Sequence, residues 1–334
     1  MNVEKGAPNV ERWATREFLA EVAAWVGDAA DAAGFGLTGR WDQPHVRAWS
    51  SAVWFEARPG NLWFKVNGDG TRHEGPLVTA LASLEPDLVP RVVAVDPARA
   101  WSLTEDVAPV MRAVASPDRL GVPWQTVVGR YAEAQVRLSA HGEEILSTGL
   151  PEVSPRTLPG QLRMLVDELS HLGHEHGGLT AEEAGRLTAL EEQYDAWCLE
   201  LAGSGIPSSV QHDDLHSSNV GWCGGAAAAR IIDWGDAVWG FPLTTMLATM
   251  NSVAWHLRCE VDDPRVLAVR DAYLERFTAY ADRDALVHLV GLARRTGCVG
   301  KALSYRAALA DEPVHTHREL DFPVRDWLLE TLAG

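Results

Sequence analysis

Apolar positions along the chain change their period near residue 34, and again near residue 107. From Thr15 to Ala33 they recur at helical spacing, with Phe18, Leu19, Val22, Trp25, Val26 and Ala29 on one face. Thr15 is placed to cap this helix and Gly34 to end it. The runs His45–Ala57 and Asn61–Val66 are short and rich in β-branched and aromatic residues, and Pro59-Gly60 between them is a turn signal. Antiparallel strands are therefore expected, with the first turn at Trp49–Ala52. A helix is predicted over Arg72–Leu84, stopped by Pro86. A hairpin follows, built from Arg91–Val95 and Trp101–Asp106.

The remainder reads as helix. Val122–His141 and Leu158–Leu172 have helical periodicity, and Thr180 with Glu183 forms a capping box that opens a third helix to about Leu201. Short apolar runs then flank a polar loop, HDDLHSSN, and a second segment, RIIDWGDA. Gly224–Ala229 reads as a hairpin loop. Beyond Gly240 the pattern is helical almost to the end. The change from strand to helix places a boundary between residues 1–106 and 107–334.

Composition narrows the class. The formal net charge is −17, from 29 basic and 46 acidic residues, which repels phosphate backbones and excludes nucleic acid as a partner. Residues 107–334 hold 31 acids against 19 bases, net −12; residues 1–106 hold 15 against 10, net −5. No apolar run reaches the ~18–20 residues of a membrane helix, and MNVEKGAPNVERW lacks a secretory h-region. Four cysteines at wide, uneven spacing fit neither a zinc site nor a disulfide scaffold. A cytoplasmic location is expected, with no membrane partner. Only three lysines exist, Lys5, Lys65 and Lys301, so Lys65 inside the apolar run LWFKV is conspicuous.

The densest polar cluster is Gln211–Asn219, and the second is Ile231-Ile232-Asp233-Trp234-Gly235-Asp236. Phosphoryl transfer from a nucleotide needs a base for the hydroxyl proton, oxygen ligands for Mg²⁺ and a cation for the phosphates. Asp214 suits the first role, Asn219 and Asp233 the second, and Lys65 the third. His171, His174 and His176 read as an exposed helix terminus rather than a metal site.

These motifs resemble the aminoglycoside phosphotransferase family, which shares the protein-kinase-like fold with choline kinases. HDDLHSSN is similar to the family's HGDxHxxN loop, and IIDWGD to its version of the kinase metal site. LWFKV resembles the strand carrying the ATP-binding lysine, RHEG places Glu74 at the position of its glutamate partner, and LTED resembles the hinge. The resemblance covers about Arg47–Pro242. It implies an α+β, two-lobe protein-kinase-like fold, with a small antiparallel-sheet N-lobe and a mostly helical C-lobe. It implies Asp214 as catalytic base, Asn219 and Asp233 as Mg²⁺ ligands, Lys65 on the ATP phosphates and Glu74 as its ion-pair partner. Adenine would lie against the hinge, at Glu105 and Val107. His212 would orient the loop through backbone bonds.

Three departures bear on this. Asp213 stands where the family usually has glycine, and is expected to point to solvent or into the lobe. The first turn lacks kinase-like glycines, leaving Ser50 and Ser51 to meet the phosphates. Gly240–Thr245 lacks the acid that often braces the loop, so either a threonine or Asp236 does so, or the loop is held differently. The acceptor implied is an amino-bearing small molecule, an aminoglycoside or amino sugar, bound by acids such as Glu260, Asp262, Asp263, Asp311, Glu312 and Glu319. A neutral sugar, a choline-like amine, a nucleoside or macrolide antibiotic, or a non-catalytic nucleotide-binding pseudokinase are the alternatives.

Overall fold

The computed structural model describes residues 8–114, 121–310 and 322–333. A short helix α1 (Asn9–Trp13) leads into α2 (Arg16–Ala32), where Thr15 Oγ1 accepts a hydrogen bond from the Phe18 N–H at 3.2 Å. Val22, Val26 and Ala30, spaced four apart, form the buried stripe of α2. They share a core with Phe55, Phe64, Trp101 and Leu103 of an antiparallel sheet. That sheet comprises β1 (Gly36–Val46), β2 (Ser50–Arg58), β3 (Leu62–Asn67), β4 (Val92–Asp96) and β5 (Trp101–Glu105), in the order β1-β2-β3-β5-β4. Helix α3 (Glu74–Leu84) lies between β3 and β4 in the chain.

The first strand is longer than expected, and its turn falls earlier. β1 begins at Gly36, the turn is Arg47–Trp49, and Ser50 and Ser51 belong to β2. β1 is exposed on both faces and its register with β2 slips twice, so its sequence carries no clean alternation.

The rest of the chain is the helical lobe. It contains α4 (Met111–Val114), α5 (Gly121–Leu138), α6 (Gly142–Leu146), α7 (Leu158–Ser170) and α8 (Ala181–Gly203), and then α9 (Thr245–Leu257), α10 (Pro264–Leu274), α11 (Arg283–Ala308) and α12 (Phe322–Glu330). The capping box at Thr180 and Glu183 is formed. Two small sheets sit among these helices. β6 (Glu152–Val153), β7 (Ser209–Gln211) and β10 (Val238–Gly240) make one, and β8 (Val220–Gly221) with β9 (Arg230–Ile231) the other. β6 and β10 are too short to leave a periodic signature.

The lobes meet backbone to backbone at more than one place, and the Ile231 N–H donates to the Leu88 carbonyl at 2.7 Å. Gly70, just after β3, abuts the end of α11, where a β-carbon would stand 1.8 Å from the Ala307 carbonyl oxygen. Among the described residues no helix is long and apolar enough to cross a membrane.

Candidate active site

The polar loop between β7 and β8 is held from below by buried groups. Tyr131 Oη donates to the Val210 carbonyl and accepts from the His212 N–H, both at 2.9 Å. His212 Nε2 lies 2.9 Å from the Ile232 carbonyl, and its Nδ1 accepts from the Asp214 N–H at 3.3 Å. His212 thus ties the two motif segments together through backbone atoms, and burial lowers its pKa, so it stays neutral. Thr249 Oγ1 on α9 donates to the Leu215 carbonyl at 3.1 Å, and the Lys301 ammonium on α11 donates to the Asp213 carbonyl at 3.0 Å. These two do the bracing. Asp236 instead accepts from Ser304 Oγ at 2.5 Å.

Asp214 is half-buried at the loop's tip. Burial would raise its pKa, but the hydrogen bond with His216 and the charge of Lys301 outweigh it and hold the carboxyl below the usual range. His216 Nε2 lies 3.3 Å from Asp214 Oδ2, and Lys301 Nζ 3.6 Å from Asp214 Oδ1. Asp214 is therefore held as a carboxylate at neutral pH. Asp213 turns into the lobe, buried at φ 62°. Burial pushes its pKa up to about 7, against the opposing pull of Lys301.

Lys65 on β3 reaches between the lobes. Its ammonium is 2.6 Å from Glu74 Oε2 on α3 and is hydrogen-bonded to Asp233 Oδ1. Burial would push this lysine down; Asp233 and Glu74 outweigh it and keep it charged. Glu74 also accepts from the Trp234 N–H at 3.1 Å, locking α3 to the segment that carries Asp233. The Asp233 carboxylate is 54% exposed, and the Lys65 charge depresses its pKa.

Two neighbouring cavities organise these groups. The larger lies between the lobes and is bordered by Ser50, Lys65, Glu105, Val107, Asn219 and Asp233. Glu105 also pairs with Arg91 at 2.7 Å. Val107 packs on Gly221, where a β-carbon would stand 2.3 Å from Val107 Cγ2. The smaller chamber is bordered by Trp49, Lys65, Asp214, Asp233, Asp236 and Lys301, so Trp49, Lys65 and Asp233 are common to both. Ser51 is not among the cleft residues. Its side chain is buried in β2, donating to the His45 carbonyl at 3.0 Å and accepting from Gln43 Nε2 at 2.9 Å.

Asn219 and Asp233 offer a hard-oxygen pair. The Asn219 amide nitrogen is spent on the Asp214 carbonyl at 3.0 Å, leaving its carbonyl oxygen as the group to offer. Amide and carboxylate oxygens suit Mg²⁺, which commonly takes one or two protein ligands and completes its shell with phosphate and water. No group of three or more His, Cys, Asp or Glu suited to holding a metal by itself occurs among the described residues, the histidines near residue 174 included.

The acids expected to bind an acceptor are not gathered at the chamber. Asp263 caps α10 and pairs with Arg265. Glu260 and Asp262 border a separate cavity against α10 and α11. Asp311, Glu312 and Glu319 lie outside the described residues. Asp236 is the acid beside Asp214 and Asp233 that borders the chamber instead. Sequence reading also missed Lys301 at the site. Its signal was there: a rare lysine at i+4 and i+8 from Gly297 and Ala293, on the buried face of α11.

The chain matches the phosphotransferase enzyme family over residues 14–286. No curated protein matches it. Its fold is similar to that of a choline/ethanolamine kinase family protein from Mesorhizobium loti, at TM-score 0.59 and 17% identity, covering 95% of this chain and 99% of the other. It is similar to a macrolide 2'-phosphotransferase from Brachybacterium faecium, at TM-score 0.57 and 16% identity, covering 90% and 98%. An ethanolamine kinase from Plasmodium vivax superposes at TM-score 0.62 and 12% identity, covering 100% and 96%. At such identities the likeness is one of fold.

Proposed function

This chain belongs to the phosphotransferase enzyme family, a small-molecule kinase acting on hydroxyl groups, and we propose that its donor is ATP with Mg²⁺ and its acceptor an amino-bearing molecule such as an aminoglycoside or amino sugar. The observation that carries this reading is the shared border of the two cavities, where Lys65 and Asp233 stand between the interlobe cleft and the chamber of Asp214. Adenine would occupy the cleft against Glu105 and Val107, with Ser50 beside the phosphates. Lys65, kept charged by Glu74, would grip the phosphates. Asn219 and Asp233 would hold Mg²⁺, which supplies neutralisation of charge on the phosphate oxygens. Asp214 takes the acceptor's hydroxyl proton. An ADP-release screen with Mg²⁺ATP over aminoglycosides, amino sugars, neutral sugars, choline-like amines, nucleosides and macrolides tests the reading. Turnover with none of them would overturn it.

The acid excess of residues 107–334, with Asp236 at the chamber, supports a cationic acceptor. Attraction between exposed charges is screened beyond ~8 Å at physiological ionic strength. Raising salt is therefore expected to raise the acceptor KM far more than it lowers kcat. An acceptor KM that stays flat from low to high salt would identify a neutral acceptor instead.

Lys65 and Glu74 make a second test. Losing a charge-assisted hydrogen bond costs about 1.5–3 kcal/mol, roughly 10–150-fold in rate. Lys65→Met is expected to lower kcat/KM for ATP across that range. Glu74→Gln is expected to cost less, because Asp233 still partners the lysine. Equal ATP kinetics in Lys65→Met and wild type would remove Lys65 from the phosphate site.

A further inference from the structure

Two lysines border the chamber, Lys65 and Lys301, and the second has so far been given only the bracing of the loop. We propose that Lys301 is a catalytic residue, whose ammonium bridges the Asp214 carboxylate and the phosphoryl group in transfer, and that buried Asp213 serves to hold it there. This rests on the reading of Asp214 as the base.

Lys301 is buried on α11, yet its side chain borders the chamber shared by Lys65, Asp214 and Asp233. Among the described residues it makes one hydrogen bond, to the Asp213 carbonyl at 3.0 Å. The carboxylates of Asp214 and Asp213 stand at 3.6 and 3.9 Å, ion-pair distances beyond hydrogen-bonding range. An ammonium has three donors, so donors remain for a group entering the chamber. A counter-charge with a purely structural role has no need to border the cavity.

Asp213 is the other half of the argument. At φ 62° it occupies backbone space that favours glycine, and its Oδ2 is buried without a hydrogen-bond partner. A strained, under-satisfied acid is costly to keep in a core. Its position beside Lys301 is what it offers in return: its carbonyl fixes the ammonium at 3.0 Å, and its carboxyl group lies 3.9 Å from it. Ser304, one turn further on α11, donates its hydroxyl proton to Asp236.

In the transfer, the acceptor oxygen bonds to the γ-phosphorus. The bond from that phosphorus to the bridging oxygen breaks, ADP leaves with the electron pair, and the hydroxyl proton passes to Asp214. Negative charge spreads over the three equatorial oxygens of the moving group. Lys65 meets it from the small lobe and Lys301 from the helical lobe beside the base, keeping its proton throughout.

Lys301→Met alone strands two carboxylates, so the decisive variant is Asp213→Gly/Lys301→Met, which removes the pair and puts glycine at the left-handed position. It is assayed by ADP release with ATP and the acceptor that the wild type uses best. The double variant is expected to stay folded at the assay temperature, with kcat lower by about 10²–10³-fold, the usual loss when one preorganised transition-state donor is removed, and KM for ATP within about threefold. Asp213→Gly alone keeps the ammonium and is expected to lose less than about tenfold in kcat. A folded double variant with kcat within about threefold of wild type overturns the proposal and leaves the pair a structural counter-charge. If the double variant melts below the assay temperature, Lys301→Gln is read by the same two outcomes. The underlying reading fails differently: near-normal turnover in Asp214→Asn would remove the base while leaving the Lys301 result to stand on its own.

Discussion

Asparagine at position 214 is expected to cut turnover by ~10²–10⁴, the range for loss of a general base, while nucleotide affinity barely moves. The substitution keeps the shape of the side chain and one oxygen for His216 or Asn219 to approach, but removes the proton acceptor. The depressed pKa of Asp214 means that the wild-type group is ionised at neutral pH, so the carboxylate that the substitution removes is the form present there. It borders the small chamber and not the larger cleft, so the surface proposed for the nucleotide's base and sugar is untouched. Measuring kcat by ADP release alongside ATP affinity by calorimetry separates the two effects. A folded variant with near-wild-type kcat would show that the proton goes elsewhere.

Asp233→Ala is expected to abolish nearly all activity and to remove the dependence of ATP affinity on Mg²⁺. Asp233 is the carboxylate that borders both cavities, and with Asn219 it makes the hard-oxygen pair. Its side chain is over half exposed, and Lys65 retains Glu74 as a partner when it is lost. The fold should therefore survive, with a stability cost of about 1–2 kcal/mol for placing alanine at φ 65°, where aspartate is better tolerated. ATP titrations with and without Mg²⁺, on a variant whose melting temperature has been checked, read the result. Mg²⁺-dependent ATP binding undiminished in Asp233→Ala would move the metal to other ligands.

The parts of this molecule legible in its sequence are those where chemistry and local structure coincide. Asp214, Asn219 and Asp233 fall in short polar segments between buried strands, and Lys65 is a lone charge in an apolar strand, so each is marked by contrast with its neighbours. The boundaries of α2 and α8 were legible because Thr15 and Thr180 cap them directly. What escaped depends on contacts between distant segments. Ser51 reads as a turn hydroxyl, but Gln43 and His45 of the exposed, irregular β1 take it into the sheet. The acids of the helical lobe read as one acceptor surface, but Asp263 is committed to a helix start and Glu260 and Asp262 face another cavity. Lys301 lies 87 residues beyond Asp214 in the chain, and only the packing of α11 under the loop brings the two together.

The backbone contact between Gly70 and Ala307 gives α11 the role of a ruler. A side-chain interface adjusts by changing rotamers, whereas a seat with no room for a β-carbon has nothing to rearrange. Lys301 precedes Ala307 by six residues on the same helix, a rise of about 9 Å. One end of that segment rests on the lobe that supplies Lys65, and the other carries the second ammonium. The gap between the two cations is thus gauged by a length of rigid helix seated directly on the small lobe.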